Sequence, residues 1–199
     1  MASQSAFFDS RAREWEKNCY PAPVRKRLQE LIRDFGVLPG MHVLDIGTGP
    51  GVLIPYLRRL VGKEGRICAF DLSFEMIRQA TRKPLSAQDL VLQADVHHMP
   101  FRNELFDQVI CFAAFPHFSD PARALREMSR VVRPGGSVII AHLLSRRELS
   151  EHHATHSAVA RDVLPDDARM ESLFGEAGLS LSDIVDIPGR YLAKGNKQP

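Results

Sequence analysis

The sequence predicts an α/β fold built on a parallel sheet, and three observations carry that prediction. A short apolar run, Val43, Leu44 and Ile46, leads into a glycine-rich turn, Gly47 to Gly51 (GTGPG). A second apolar run, RICAF, ends on an acid, Asp71. Apolar strands and amphipathic segments then alternate along the chain. The first run is too short for a helix and follows Pro39 and Gly40, so it reads as a buried strand of a parallel sheet. Gly47, Gly49 and Gly51 let the backbone turn sharply and admit a ligand to the main chain, where a Cβ would block it. A helix starting near Gly51 would turn its free N–H groups toward that space. A strand, a glycine turn, a helix and an acid ending the next strand form a nucleoside-binding βαβ unit.

The other elements follow in order. Residues 5–20 hold Phe7, Phe8, Trp15 and Tyr20 among charges, the composition of either a lid or an ordinary packing helix. Val24, Leu28, Leu31, Ile32 and Phe35 recur at helical spacing, and Gly36 ends that helix. A crossover helix is expected over 52–61, with Pro55 in its first turn, where it costs little. Ser73 caps the next helix, which turns Met76, Ile77 and Ala80 inward and stops before Pro84. Strands are expected at 90–94 and 106–112. Asp120 then Pro121 is a cap followed by a first-turn proline, opening a helix to Val132. A buried, β-branched strand follows at 137–142. Ser145 and Glu148 form a capping box for a helix over 146–160. Pro165, Asp166 and Asp167 open another helix, ending at Gly178. Residues 181–187 and 190–194, joined by Pro188 and Gly189, read as an antiparallel hairpin closing a sheet edge.

At 199 residues and 44% hydrophobic content the chain suits one domain with a sizeable core. With 26 basic against 24 acidic residues, charge argues for no bulk nucleic-acid or membrane-surface role. Cys19, Cys68 and Cys111 are odd in number and share no motif spacing, so a reducing cytoplasm fits better than a disulfide framework. The N-terminal segment lacks an apolar leader core and no run reaches membrane-spanning length, so a soluble intracellular protein without membrane insertion is expected.

The details of the loop discriminate among nucleosides. The dinucleotide fingerprint is G-x-G-x-x-G, whereas this chain reads G-x-G-x-G with Val52 at the third glycine position. Asp45, just before the loop, suits a cationic amino-acid head and would repel a pyrophosphate. Together with FDLS, QADVHHMPF, FDQVICF and VVRPGGSVIIAH, in that order and spacing, LDIGTGPG resembles the class I S-adenosylmethionine-dependent methyltransferases. The likeness is to the small type 11 group that includes quinone-biosynthesis methyltransferases, and it spans roughly residues 5 to 195. The resemblance implies a Rossmann-like doubly wound sheet of seven strands in order 3-2-1-4-5-7-6, strand 7 antiparallel. The whole of 1–199 would be one domain, with 1–36 as an N-terminal lid and helix and 143–165 as a histidine-bearing cover. It also implies S-adenosylmethionine as cofactor and, since homodimers are common for such domains, a homodimer as one form.

The same resemblance implies roles for single residues. Asp45 orders the loop and meets the amino-acid portion, and Gly47, Thr48, Gly49 and Gly51 form the loop itself. Asp71 holds both ribose hydroxyls, since one carboxylate offers two acceptors. Asp95 accepts from the adenine amine beside Val96, Leu72 and Met76 pack on the adenine, and Cys111 and Phe112 flank the methionine moiety. The plain alternative for the three acids is a helix cap or a solvated loop position. Methyl transfer requires alignment and exclusion of water, and a base only where the acceptor must lose a proton.

Histidines are the other signal, eight in all. His117 follows the fourth strand, His142 ends the fifth, and His152, His153 and His156 lie on the segment after it, while His97 and His98 read as loop. On one helix, His152 or His153 would share a face with His156. His142, His153 and His156 are therefore candidate ligands for a divalent transition metal, with His117 a further nitrogen and Asp162 or Glu151 a possible oxygen. The alternatives are a base or substrate contact, with His142, His153 and His117 the catalytic candidates, or a solvated cover. Arg146 and Arg147 could meet an anionic acceptor, and Tyr191 could face the pocket. The acceptor is expected to be a small molecule rather than a protein or nucleic acid. Carbon methylation of a quinone precursor, a thiol or metalloid acceptor, cofactor binding without catalysis, and a nicotinamide dehydrogenase are the rivals.

Overall fold

Val43, Leu44 and Ile46 are sealed from solvent on both sides, and this run becomes β1 (His42–Ile46), the centre of the sheet. In the computed structural model, which describes residues 4–155 and 158–199, β1 runs parallel to β2 (Arg66–Asp71) and to β4 (Phe106–Phe112). β3 (Leu90–Gln93) extends the sheet beyond β2, and β5 (Val132–His142) lies beyond β4. The hairpin β6 (Leu179–Ile187) and β7 (Arg190–Lys197) completes it, with β7 antiparallel to β5. The order is β3-β2-β1-β4-β5-β7-β6, as the resemblance implied.

Successive residues of the central strands feed opposite layers, the period of two that a strand imposes. Leu44, Val109, Cys111, Val138 and Ile140 meet α5 (Pro121–Val131) and α7 (Asp167–Glu176) on one face. Val43, Ile110 and Ile139 meet α2 (Ala22–Arg33) and α3 (Ile54–Val61) on the other. α4 (Phe74–Ala80) packs against α1 (Gln4–Cys19), so the aromatic N-terminal stretch is a continuous helix.

Three boundaries differ from expectation. α3 starts at Ile54 and not near Gly51, because Gly51 sits at φ +78, outside helical space. The free amides at its start therefore lie downstream of the loop. β5 starts at Val132 rather than Ser137, with a register slip between Phe106 and Gln108 that accommodates the exposed Arg133–Gly135 segment. α6 (Arg146–Ala154) has its capping box but stops short of Ala160: Thr155 turns its hydroxyl back onto the His152 carbonyl, and Val159 then buries outside the helix. His156, expected to share a helical face with His152 or His153, lies outside the described residues. Among the described residues no helix is long and apolar enough to cross a membrane.

Candidate active site

The carboxyl ends of β1, β2 and β4 converge, the place where open α/β sheets bind ligands. A cavity of about 220 Å³ opens there. Gly47 leaves β1 at φ +64, and a Cβ on it would stand 2.4 Å from the Ala114 Cβ, so close passage beneath the β4 end requires glycine. Gly49 has open space where a side chain would be, on the cavity side of the loop. Gly51 instead fits against Ala80 and Lys83 and does not line the cavity.

Two carboxylates hold this loop. Asp45, 1% exposed, accepts from the Thr48 hydroxyl at 2.6 Å. Burial pushes its carboxyl up to about 7, although the Thr48 hydroxyl works against the rise. Asp71 accepts from the Gly49 amide at 2.9 Å through one oxygen and from the Ser73 amide at 2.8 Å through the other. Burial raises its carboxyl too, against those amides. Asp95 caps the short 3-10 helix Val96–His98 and meets Nδ1 of His97 at 2.7 Å. Burial pulls this carboxyl upward, but the His97 amide and imidazole hold it below the ordinary value. The capping role is thus present, on a residue that also lines the cavity. Val96, Leu72, Met76 and Phe112 line it as well, with Leu72 exposed and Met76 buried. Cys111 does not: it is wholly buried in the core behind the wall, as the alternation along β4 requires.

A second cavity of about 650 Å³ lies alongside. Phe8, Trp15, Tyr20, Phe112, Ala113 and His117 border both spaces. Ala113 holds φ +55, a left-handed conformation uncommon for a non-glycine residue and often met at functional sites. His117, His142, His152 and His153 all line the second cavity. Nδ1 of His117 lies 2.7 Å from the Asp162 carboxylate, and Nδ1 of His153 lies 2.5 Å from the Asp162 carbonyl. Since neither oxygen can donate, both rings carry a proton on Nδ1. Nδ1 of His142 instead accepts the Leu144 amide at 3.0 Å. Burial drives the His142 imidazolium pKa down to about 3, with the neighbouring His153, His117 and His152 adding to the effect. His153 is lowered by burial as well.

Comparison with known proteins decides the family. A methyltransferase domain family matches residues 44–140, from β1 to β5. The chain is 27% identical over 186 residues to the ubiquinone/menaquinone biosynthesis C-methyltransferase UbiE of Vibrio campbellii, covering 79% of this chain and 71% of that one. With the UbiE of Coxiella burnetii the identity is 30% over 130 residues, covering 63% and 52%. The matched domain, these relatives and the solved neighbours support a class I S-adenosylmethionine-dependent methyltransferase of the type 11 group. A solved methyltransferase in complex with the Haloferax volcanii Trm112 methyltransferase activator aligns at TM-score 0.80 and 22% identity, covering 100% and 99% of the two chains, a likeness of fold. The chain spans about half the length of most of the curated relatives it matches.

The donor set of the methyltransferase loop fits the family's cofactor. Asp71 retains acceptor capacity at the end of β2, Asp45 supplies a carboxylate beside the loop, and Gly49 leaves room for a ligand at the main chain. Among the described residues no group of three His, Cys, Asp or Glu side chains is placed to hold a metal, and His156, one of the three residues named for it, lies outside the described residues. Nδ1 of His142 and of His153 is already engaged by backbone. Arg146 is committed to Asp167, Asp186 and the Pro165 carbonyl, Arg147 pairs with Glu151 at the surface, and Tyr191 is sealed in the core, and none of the three lines either cavity. Sequence reasoning considered Asp162 only as a metal ligand. Its link to His117 spans 45 residues, and no spacing signal announces it.

Proposed function

We propose that this protein transfers the methyl group of S-adenosylmethionine to a small molecule held in the second cavity, with His117 removing the acceptor's proton. The observation that carries this reading is His117 itself: it stands in the wall common to both cavities, with Nδ1 held by Asp162. With Nδ1 protonated, Nε2 keeps a lone pair, and the Asp162 carboxylate stabilises the imidazolium formed when that nitrogen takes a proton.

S-adenosylmethionine supplies, when bound, an electrophilic methyl on a positively charged sulfur. Asp71 is the residue to hold the ribose hydroxyls, Asp45 the amino-acid head, and Asp95 with Val96, Leu72 and Met76 the adenine. Phe8, Trp15 and Tyr20 exclude water from the junction. We also read α1 as the cover over that junction, pinned shut where the Ser73 hydroxyl donates to Asp9 and Lys83 pairs with Glu16.

The names of the UbiE relatives favour one particular outcome, methylation at carbon of a quinone precursor. A ring hydroxyl ionised by His117 would activate its own ring carbons, so the same base serves either product. Incubating small phenols, quinols and thiols with S-adenosylmethionine, then identifying the methylated atom by NMR, tests both. His117→Ala is expected to lower kcat by about 10²- to 10⁴-fold while S-adenosylhomocysteine binds as before. Undiminished turnover in that variant would refute the assignment of the base.

A further inference from the structure

We infer that His142 is a fixed N–H donor that positions the acceptor by binding a second oxygen on it, and is neither base nor metal ligand. This rests on the reading of the second cavity as the acceptor's chamber. His142 ends β5, paired with Tyr191 and lying beside Phe112 at 6.5 Å between ring centres. The Leu144 amide donates to its Nδ1. An amide N–H never accepts, so Nδ1 keeps its lone pair, and the single proton of the neutral ring sits on Nε2. Burial holds the ring neutral, and the neighbouring His153, His117, His152 and Arg27 act in the same direction, with Glu14 the carboxylate among the residues that border the cavity. A lone pair on Nε2, which both a base and a metal ligand need, is therefore missing.

The two histidines are complementary. His117 offers an acceptor nitrogen backed by Asp162, and His142 offers a donor backed by Leu144. A ligand satisfying both presents one ionisable hydroxyl and, elsewhere on the same molecule, an oxygen that accepts, such as a carbonyl. The aromatic boundary formed by Phe8, Trp15 and Phe112 suits a flat framework. A molecule with the hydroxyl alone would cover the part-buried His142 N–H without pairing it, and that asymmetry makes a hydrogen-bonding site selective.

The test compares 2-hydroxybenzaldehyde with phenol as acceptors, with S-adenosylmethionine as methyl donor. The wild type is expected to prefer the hydroxy-carbonyl compound in kcat/KM by on the order of tenfold, as one buried neutral hydrogen bond provides. His142→Gln, whose amide can donate from nearly the same place, should keep much of that preference. His142→Phe should lose it through KM. Side-chain ¹⁵N NMR of the wild type, with His142 assigned from His142→Gln, should show Nε2 protonated and Nδ1 bare, a readout that does not depend on the Phe variant folding. A protonated Nδ1, an unchanged preference in His142→Phe, or failure to methylate either ring would each overturn the inference. Failure with both rings, alongside His117-dependent methylation of another acceptor, would overturn the role of His142 and leave the proposed function standing.

Discussion

Asp45 shows how much one buried carboxyl can report. The folded chain holds its proton to about pH 7, whereas the ordinary value is 3.8. Between those values the native state binds the extra proton, so this residue makes stability fall as pH rises, and its effect is level above about pH 7. Denaturant titrations across that window should show the decline in the wild type and a flatter profile in Asp45→Asn. A cationic head group favours the ionised carboxylate, so cofactor affinity should rise as pH passes through about 7, and that rise should vanish in Asp45→Asn. Gly47 makes a second prediction at this scale. An alanine there meets both a positive φ and the Ala114 Cβ at 2.4 Å, so Gly47→Ala should cost cofactor binding even where the chain still folds, as calorimetry would show. Both residues were legible in the sequence because their chemistry is local to one loop. Asp162 was legible only as an acid, since its part in the site depends on a fold-back that places it under His117.

Among the elements, those with strong local signals formed where expected. β4 matches its expected bounds, and Ser73, Asp120, Ser145 and Asp166 each cap the helix they precede. Ends without such a signal drifted: α6 stops at Ala154 because only Leu149 and His153 anchor it, too little apolar face to carry the helix on. The capping box is correspondingly important. Ser145→Ala removes the acceptor for the Glu148 amide and the hydroxyl that donates to the Glu148 carboxylate, which keeps the amides of residue 145 and Gly189. It should cost about 1 kcal/mol, read as a lower denaturation midpoint with an unchanged slope. The aromatic N-terminal stretch left lid and packing helix undecided; α1 packs on α4, and its Phe8 and Trp15, with Tyr20 just beyond it, border the cavities.

At the scale of the whole molecule, the sheet reverses its winding between β1 and β4, and that reversal puts the glycine loop, Asp71 of β2, His117 just after β4 and His142 of β5 at one rim. Strand alternation made this rim readable in outline. Residue types could not say which histidines share a cavity, nor which ring nitrogen each presents, because backbone amides and carbonyls far along the chain settle that. The central claim is that the Asp71 rim holds S-adenosylmethionine, and calorimetry with S-adenosylhomocysteine tests it most directly. The expected result is one binding site per chain, weakened about ten- to a hundredfold in Asp71→Asn, as loss of charge-assisted hydrogen bonds predicts, and unchanged in Asp162→Asn. Absence of binding, or equal affinity in wild type and Asp71→Asn, would contradict it.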